Sequence, residues 1–302
     1  MMVFDCVVLG AGPAGLNASL VLGRARRKVA LFDNGTNRNR VTTESHGFIT
    51  RDGIKPAEFK RIALNELKSY PSIQYFEETV TQISREAVND IFRILTVDEK
   101  VYFAEKLIIA TGVHEEFPSV PDIKSFYGKS IYSCPYCDGW ELRDQPLIII
   151  TENEDAAHHM AKLVYNWSEN LVVATNGNEM SKMKKDELQQ RNITIVTEPI
   201  TKLHGKEGYL QMVEFASGLK VERTGGFIVP SFYRPHQFAE ILGCELQENG
   251  AIVTDDTGRT SQKNIYTAGE SSQAGPSSLT LAAAEGSKSA FAVNADITNE
   301  RF

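Results

Sequence analysis

Short runs of aliphatic and β-branched residues alternate along this chain with stretches of helical periodicity, and glycines stand at the junctions. Val3–Leu9 is such a run, closed by a glycine cluster; Ala14–Arg24 is helix-like, and Lys28–Phe32 is apolar again. Apolar runs that end in turn residues and lead into helices predict a βαβ unit. The same order recurs at Leu147–Ile150, Asp155–Trp167 and Leu171–Ala174, which predicts a second unit. Between them Leu107–Ile109 runs into Ala110-Thr111-Gly112. Near the end, Asn264–Gly269 reads as a strand and Leu279–Ala295 as an Ala-rich helix. No short-period repeat or low-complexity tract interrupts this order.

Alternating β and α segments predict a three-layer α/β fold with largely parallel sheets. The closing strand and helix complete the first unit rather than the second. The expected architecture is therefore two Rossmann-like dinucleotide-binding domains, the second inserted into the first, with residues 1–113 and 230–302 forming one and 114–229 the other. A length of 302 residues suits two domains.

Charge and cysteine content narrow the function classes. A net charge of −7 argues against a nucleic-acid partner, since such binding draws on phosphate neutralisation by Lys and Arg. The basic run Arg24–Lys28 falls where the first helix should end, and cations there complement exposed carbonyls. No apolar stretch reaches the roughly 18 residues of a membrane span, and no basic region precedes the first apolar run. A cytoplasmic protein without membrane attachment is the expectation. Of the four cysteines, Cys6 and Cys244 read as small buried hydrophobes, which leaves Cys134 and Cys137 as a close pair.

Gly10-Ala11-Gly12-Pro13-Ala14-Gly15 fits G-x-G-x-x-G at a strand–helix junction, where glycines permit a tight turn and bring backbone N–H groups up to a pyrophosphate. Asp33, at the end of the following strand, stands where an acid accepts hydrogen bonds from an adenosine ribose. Strand, helix and acid together make this a dinucleotide site. Cys134-Pro135-Tyr136-Cys137 is a C-x-x-C, a spacing that closes a small disulfide at a helix start and lowers a thiol pKa there. Structural zinc, which takes four ligands, and an inert core pair are the competing readings. The chain has no second C-x-x-C, and the adjacent His158 and His159 project differently from a helix, so no metal is expected.

The Gly-Pro-Ala-Gly turn, with Ile109-Ala110-Thr111-Gly112 and Thr267-Ala268-Gly269-Glu270, resembles the three FAD signatures of the two-dinucleotide-binding-domain flavoproteins. Cys134-Pro135-Tyr136-Cys137-Asp138-Gly139 resembles the Cys-x-x-Cys-Asp-Gly of thioredoxin reductases, and the resemblance runs over essentially the whole chain. It implies FAD as cofactor and a homodimer. It implies that Cys137 lies nearer the isoalloxazine and exchanges electrons with its C4a position. Cys134 would then meet the substrate sulfur and Asp138 would serve as acid and base; an acid favouring a helix N-terminus is an equal reading of Asp138. Glu270 stands where the family usually has Asp, with an exposed loop carboxylate as the alternative. Ser278 and Leu279, at the start of the Ala-rich helix, complete the implied cofactor set. His46, in Ser45-His46-Gly47-Phe48, occupies a segment that runs close to the flavin in the family, and a packed or exposed histidine is the other reading. His114 and His236 are weaker candidates.

The pattern breaks in the inserted domain. Thr151-Glu152-Asn153-Glu154-Asp155-Ala156 has no glycine where the family carries a second fingerprint for NADPH, and Thr175-Asn176-Gly177-Asn178-Glu179 has no arginine for a 2′-phosphate. An acid about 5 Å from a phosphate charge costs about 3 kcal/mol at an effective dielectric near 20, before screening. Two groups share this departure: ferredoxin-dependent flavin thioredoxin reductases, and the dithiol oxidases related to gliotoxin and holomycin biosynthesis. Arg26–Asp33, His46-Gly47-Phe48 and Cys134–Cys137 resemble the second group more. The leading expectation is oxidation of a dithiol, small or on a thioredoxin-like protein, with oxygen as acceptor. Disulfide reduction driven by a ferredoxin-like donor follows, and reduction by NADPH comes last. A flavin-binding scaffold or sensor is the non-enzymatic alternative, and the cysteine pair argues against it.

Overall fold

The computed structural model describes residues 2–86, 89–234, 237–272 and 278–302. In chain order the first elements are β1 (Val3–Leu9), α1 (Pro13–Arg24), β2 (Val29–Phe32), α2 (Pro56–Leu67), β3 (Ile73–Phe76), β4 (Val80–Glu86), β5 (Ile91–Thr96) and β6 (Val101–Ile109). Next come β7 (His114–Glu116), α3 (Ile123–Phe126), β8 (Ile131–Tyr132), α4 (Pro135–Asp138), β9 (Leu147–Ile150), α5 (Glu154–Val164), β10 (Leu171–Ala174), α6 (Lys182–Gln189) and β11 (Thr194–Val196). The antiparallel trio β12 (Ile200–Lys206), β13 (Tyr209–Phe215) and β14 (Lys220–Glu222) precedes β15 (Gly225–Ile228) and β16 (Ser231–Tyr233). The chain closes with α7 (Phe238–Ile241), β17 (Ile265–Thr267) and α8 (Leu279–Arg301).

Two compact units result. One comprises Met1–Arg40, Gly47–His114 and Tyr233–Phe302; the other comprises Val41–His46 and Glu115–Phe232. The first unit's sheet runs β3-β2-β1-β6-β5-β4, with β17 also pairing β6. Its β3-β2-β1-β6 stretch and the β17–β6 pair are parallel, so the C-terminal ends of β1, β2, β6 and β17 open on one edge. Side chains alternate faces along a strand. Cys6 and Val8 pack with Leu22 of α1 and Val293 of α8, whereas Val7 and Leu9 pack with Phe92 of β5 and Phe238 of α7. Cover on both faces explains why β1 is an unbroken apolar run.

The second unit's main sheet is all parallel, in the order β11-β10-β9-β15-β8. Each residue of β9 is fully buried, Ile148 and Ile150 toward one core and Leu147 and Ile149 toward the other. Burial of each such side chain contributes about 1.5–3 kcal/mol relative to exposure. Together the units give the three-layer, two-Rossmann α/β class. The helix after β9 ends at Val164 rather than Trp167, because Tyr165–Ser168 fold into turns that return to Ala161, Leu163 and Val164 carbonyls. The last helix runs past Ala295 to Arg301, held by ion pairs of Arg301 with Asp5 and Glu105.

Candidate active site: a dinucleotide cradle and a redox disulfide

Three chain segments meet at the open edge of the first sheet. Gly10 N–H donates to the Phe32 carbonyl at 2.8 Å, Ala110 N–H to Leu9 at 2.9 Å and Ala268 N–H to Ile109 at 3.1 Å, so the Gly10–Gly15, Ala110–Gly112 and Gly269–Glu270 turns are neighbours. Gly10 has φ +101°, and a Cβ there would lie 2.4 Å from the Ala110 carbonyl oxygen. A Cβ on Gly15 would lie 1.9 Å from the Gly10 carbonyl oxygen, so only glycine lets the helix follow the turn so closely. A Cβ on Gly12, by contrast, meets no protein atom within 4 Å and projects into open space. Gly12 caps α1 without a side-chain hydrogen bond, Pro13 starts the helix, and its first turn carries no acid. Ala14 and Gly15 thus present backbone donors at the positive end of a 12-residue helix, which fits a pyrophosphate.

Acids and cations surround this turn. Asp33 is buried; its Oδ2 accepts from Lys60 Nζ and from Tyr75 Oη, and its Oδ1 from Gly35 N–H at 3.3 Å. Burial, then the Asp33 charge, raises the Tyr75 phenol above its ordinary range. Glu270 is not a free loop carboxylate. Arg38 Nη2 donates to its Oε1 at 2.6 Å, and Arg234 binds the carbonyls of Glu270 and Ser271 at 3.2 and 3.1 Å. Ser271 Oγ in turn accepts from Gly112 N–H at 3.0 Å, joining the second and third signatures. Arg38, Lys60, Tyr75 and Arg234 were missed by sequence reasoning. A basic residue shortly after Asp33 was the one signal for Arg38, which lies 232 positions from its partner. Ser278 caps α8, its Oγ accepting from Leu281 N–H, and Leu279 starts that helix. Thr111 follows Ala110 on the same edge. His114 lies against the Tyr233 ring, 5.8 Å between centroids, and His236 falls outside the described residues.

Cys134 and Cys137 form a disulfide, with Cα atoms 5.2 Å apart. Cys134 is the extended N-cap of α4, and the N–H groups of Cys137 and Asp138 both reach its carbonyl at 3.1 Å. The helix is only four residues long, so its dipole is small. Burial, reinforced by the charge of Glu141, pushes the Asp138 carboxyl up to about 7. A Cβ on Gly139 would strike the Pro135 carbonyl oxygen and the Trp167 ring, which explains the glycine after Asp138. Tyr136 and Trp140 are 71% and 64% exposed beside the disulfide. Tyr136 stands edge-on to Trp167, and the Arg143 guanidinium lies 4.1 Å from the Trp140 ring centre. His46 belongs to this unit, with Nε2 3.7 Å from Glu141 Oε1 and 3.8 Å from Glu44 Oε2.

The turn after β9 is built the opposite way from the turn after β1. Asn153 caps α5, its Oδ1 accepting from Ala156 N–H at 2.9 Å. Glu152 Oε1 accepts from Ser119 N–H at 3.1 Å and Asn176 Nδ2 at 2.8 Å, while Glu154 accepts from Ser181 N–H at 2.7 Å. Lys184 pairs with both Glu154 and Asp155, a cation that sequence reading did not place there. The acids are thus partly neutralised by α6. At the helix end the Ala156 N–H remains taken by the Asn153 side chain. Among the described residues no group of three or more His, Cys, Asp or Glu could hold a metal, and no helix is long and apolar enough to cross a membrane.

Known proteins place this arrangement. Residues 4–286 match the pyridine nucleotide-disulphide oxidoreductase family. The crystal structure of TrxB from Bacillus anthracis, assigned as a thioredoxin reductase, is 64% identical, superposes with a TM-score of 0.97, and covers 99% of this chain and 100% of that one. Thioredoxin reductase aclD of Aspergillus oryzae is 30% identical over 82% of this chain and 81% of its own length. A protein assigned as a thioredoxin reductase in Arthroderma benhamiae is 36% identical over 59% of this chain, and the match spans only 45% of that protein. Thioredoxin reductase-like members of the family bind FAD, which the Gly12 cradle suits. With the match running through both units, this chain belongs to the pyridine nucleotide-disulphide oxidoreductases, as an FAD-dependent thiol-disulfide oxidoreductase of thioredoxin reductase type.

Proposed function

We propose that this protein oxidises a dithiol to a disulfide through Cys134 and Cys137 and passes the electrons by way of FAD to oxygen, without NADPH. The observation that carries this reading is the turn after β9, where the Asn153 side chain already takes the Ala156 N–H of α5 and the first turn of that helix carries the acids Glu154 and Asp155. Cys134 meets the substrate: a substrate thiolate attacks its sulfur, the Cys134–Cys137 bond breaks and Cys137 leaves as a thiolate. The second substrate thiol then attacks the substrate sulfur of the mixed disulfide and releases Cys134. Two electrons and two substrate protons have now reached the protein, one proton on Asp138 and the other on the released Cys134 sulfur. Gly10–Gly15, Asp33, Ala110–Gly112 and Gly269–Glu270 would hold FAD, which would supply the two-electron acceptor for the reduced cysteine pair. Oxygen takes two electrons and two protons as hydrogen peroxide, which closes the balance. Exposed Tyr136 and Trp140 offer the substrate an aromatic contact surface.

A second reading is reduction of a thioredoxin-like disulfide, which is what the names of TrxB and aclD say of those proteins, here with electrons from a ferredoxin-like donor. Anaerobic titration of the flavin with a small dithiol, with NADPH and with reduced ferredoxin, followed by air, tests these readings. Bleaching by the dithiol and recolouring in air, with hydrogen peroxide formed, supports the oxidase. Bleaching by ferredoxin but not by the dithiol overturns it. Residues 114–229 as an inserted domain, a homodimer and a cytoplasmic setting belong to the same proposal, and sedimentation of the holoprotein checks the dimer.

A further inference from the structure

The Gly10 turn brings Asp33 with it, because Gly10 N–H donates at 2.8 Å to the carbonyl of Phe32, one residue before Asp33. Asp33 N–H donates to the Phe76 carbonyl at 3.0 Å, which ties it to the end of β3. Leu31 and Asp33 stand two apart and share a face, the one where Leu31 packs with Tyr75 of β3 and Phe59 of α2. Lys60 follows Phe59, and so two donors converge on one oxygen: the Lys60 ammonium and the Tyr75 hydroxyl both donate to Asp33 Oδ2, the hydroxyl at 3.1 Å. The Asp33 and Lys60 side chains are 4% and 22% exposed, so this pairing is held within the fold. Among the described residues Oδ1 accepts from Gly35 N–H alone, at 3.3 Å. An ionised carboxylate offers about four acceptor positions, shared between its two oxygens. Oδ2 is therefore full, and one position stays open on Oδ1.

We propose that Lys60 and Tyr75 are positioning residues that decide how the first dinucleotide site reads an adenosine ribose: by filling Oδ2 they leave Asp33 a single acceptor position, so the site recognises one ribose hydroxyl and disregards the other. A carboxylate with both oxygens open serves the two neighbouring hydroxyls together and draws no distinction between them. Lys60 has a second effect. The turn that Asp33 accompanies suits a pyrophosphate, with open space at Gly12 and no acid in the first turn of α1. An uncompensated acid beside that turn repels a phosphate, and the Lys60 ammonium offsets it. Tyr75 is uncharged, so it limits the acceptors without changing the charge. The inference rests on Asp33 standing at the ribose of the adenosine diphosphate half of the cofactor.

The test titrates full-length protein freed of flavin with FAD and with FAD analogues that lack the adenosine 2′- or 3′-hydroxyl, and quenching of flavin fluorescence gives each affinity. In the parent, loss of one hydroxyl should weaken binding about tenfold or more, as for a hydrogen bond to a charged acceptor, and loss of the other less than about twofold. Lys60→Met opens a position on Oδ2, so the two losses should come within about threefold of each other, while FAD itself binds about tenfold more weakly. Tyr75→Phe should narrow the same ratio with an FAD affinity closer to the parent's, and it serves if Lys60→Met does not fold. Lys60→Arg keeps a charged donor on Oδ2 and should keep the parent's ratio. A contribution to packing alone weakens all three ligands alike and leaves the ratio unmoved. Equal losses in the parent, or an unchanged ratio in both Lys60→Met and Tyr75→Phe, overturn the inference. A parent in which neither loss exceeds about twofold removes Asp33 from the ribose and fails the reading beneath the inference, a separate outcome.

Discussion

A carboxyl held near 7 is half protonated around neutral pH, so Asp138 can both give and take a proton during one turnover. Its acid form is present below that midpoint and lost as pH rises through it. Asp138→Asn should therefore slow disulfide opening about a hundredfold or more at pH 6 and flatten the fall in thiolate-corrected rate at higher pH, read by stopped-flow with dithiothreitol. Arg38 acts at the other centre. It holds Glu270 beside the turn that suits a pyrophosphate, so Arg38→Ala leaves a carboxylate facing a phosphate without its cation. That variant should bind FAD about tenfold more weakly, measured by flavin release in dialysis against the parent. Among single residues, the sequence showed the glycines and cysteines because their spacing is local. It hid Arg38 and Lys60, because each meets its acid through the tertiary fold.

The packing of α1 on α8 is what keeps the cradle in shape. A Cβ on Gly286 of α8 would lie 2.1 Å from the Ala14 carbonyl oxygen, in the first turn of α1. Gly286→Val should cost about 1–3 kcal/mol in urea unfolding and also lower the FAD content, since the shift it forces is at the donor end of α1. A stability loss with full flavin occupancy would separate the helix contact from the cofactor site. Elements that fill the two sheets were legible in the sequence, because strands buried on both faces are short apolar runs between turns. The antiparallel strands β4, β5 and β12–β14 were not. Their exposed faces carry polar residues such as Gln82, Ser84 and Lys202, which break the run without a helical period. The grouping of Val41–His46 with the second unit was also hidden, since nothing local in that segment signals it.

At the scale of the whole molecule, one chain carries two helix ends, each following a strand that pairs in parallel with its neighbours, and only the first is left open for an anion. NADPH at millimolar concentration should therefore reduce the flavin far more slowly than a dithiol does. A loss of about 4 kcal/mol in binding moves a micromolar ligand to millimolar. Anaerobic stopped-flow absorbance gives the result, and saturable reduction with micromolar affinity would restore pyridine nucleotide as the donor. The absence of glycine after β9 was legible, and so was the acidic turn. The pairing of Lys184 with those acids was not, because it comes from α6. For anyone wishing to rewire this protein to run on NADPH, the consequence concerns the order of changes. Asn153, whose Oδ1 already holds the Ala156 N–H, is a tethered competitor, present at the helix end at an effective concentration of about millimolar or more, whatever is added outside. Grafting arginines after β10 adds attraction to a seat that is still taken, whereas exchanging Asn153 for glycine vacates it first.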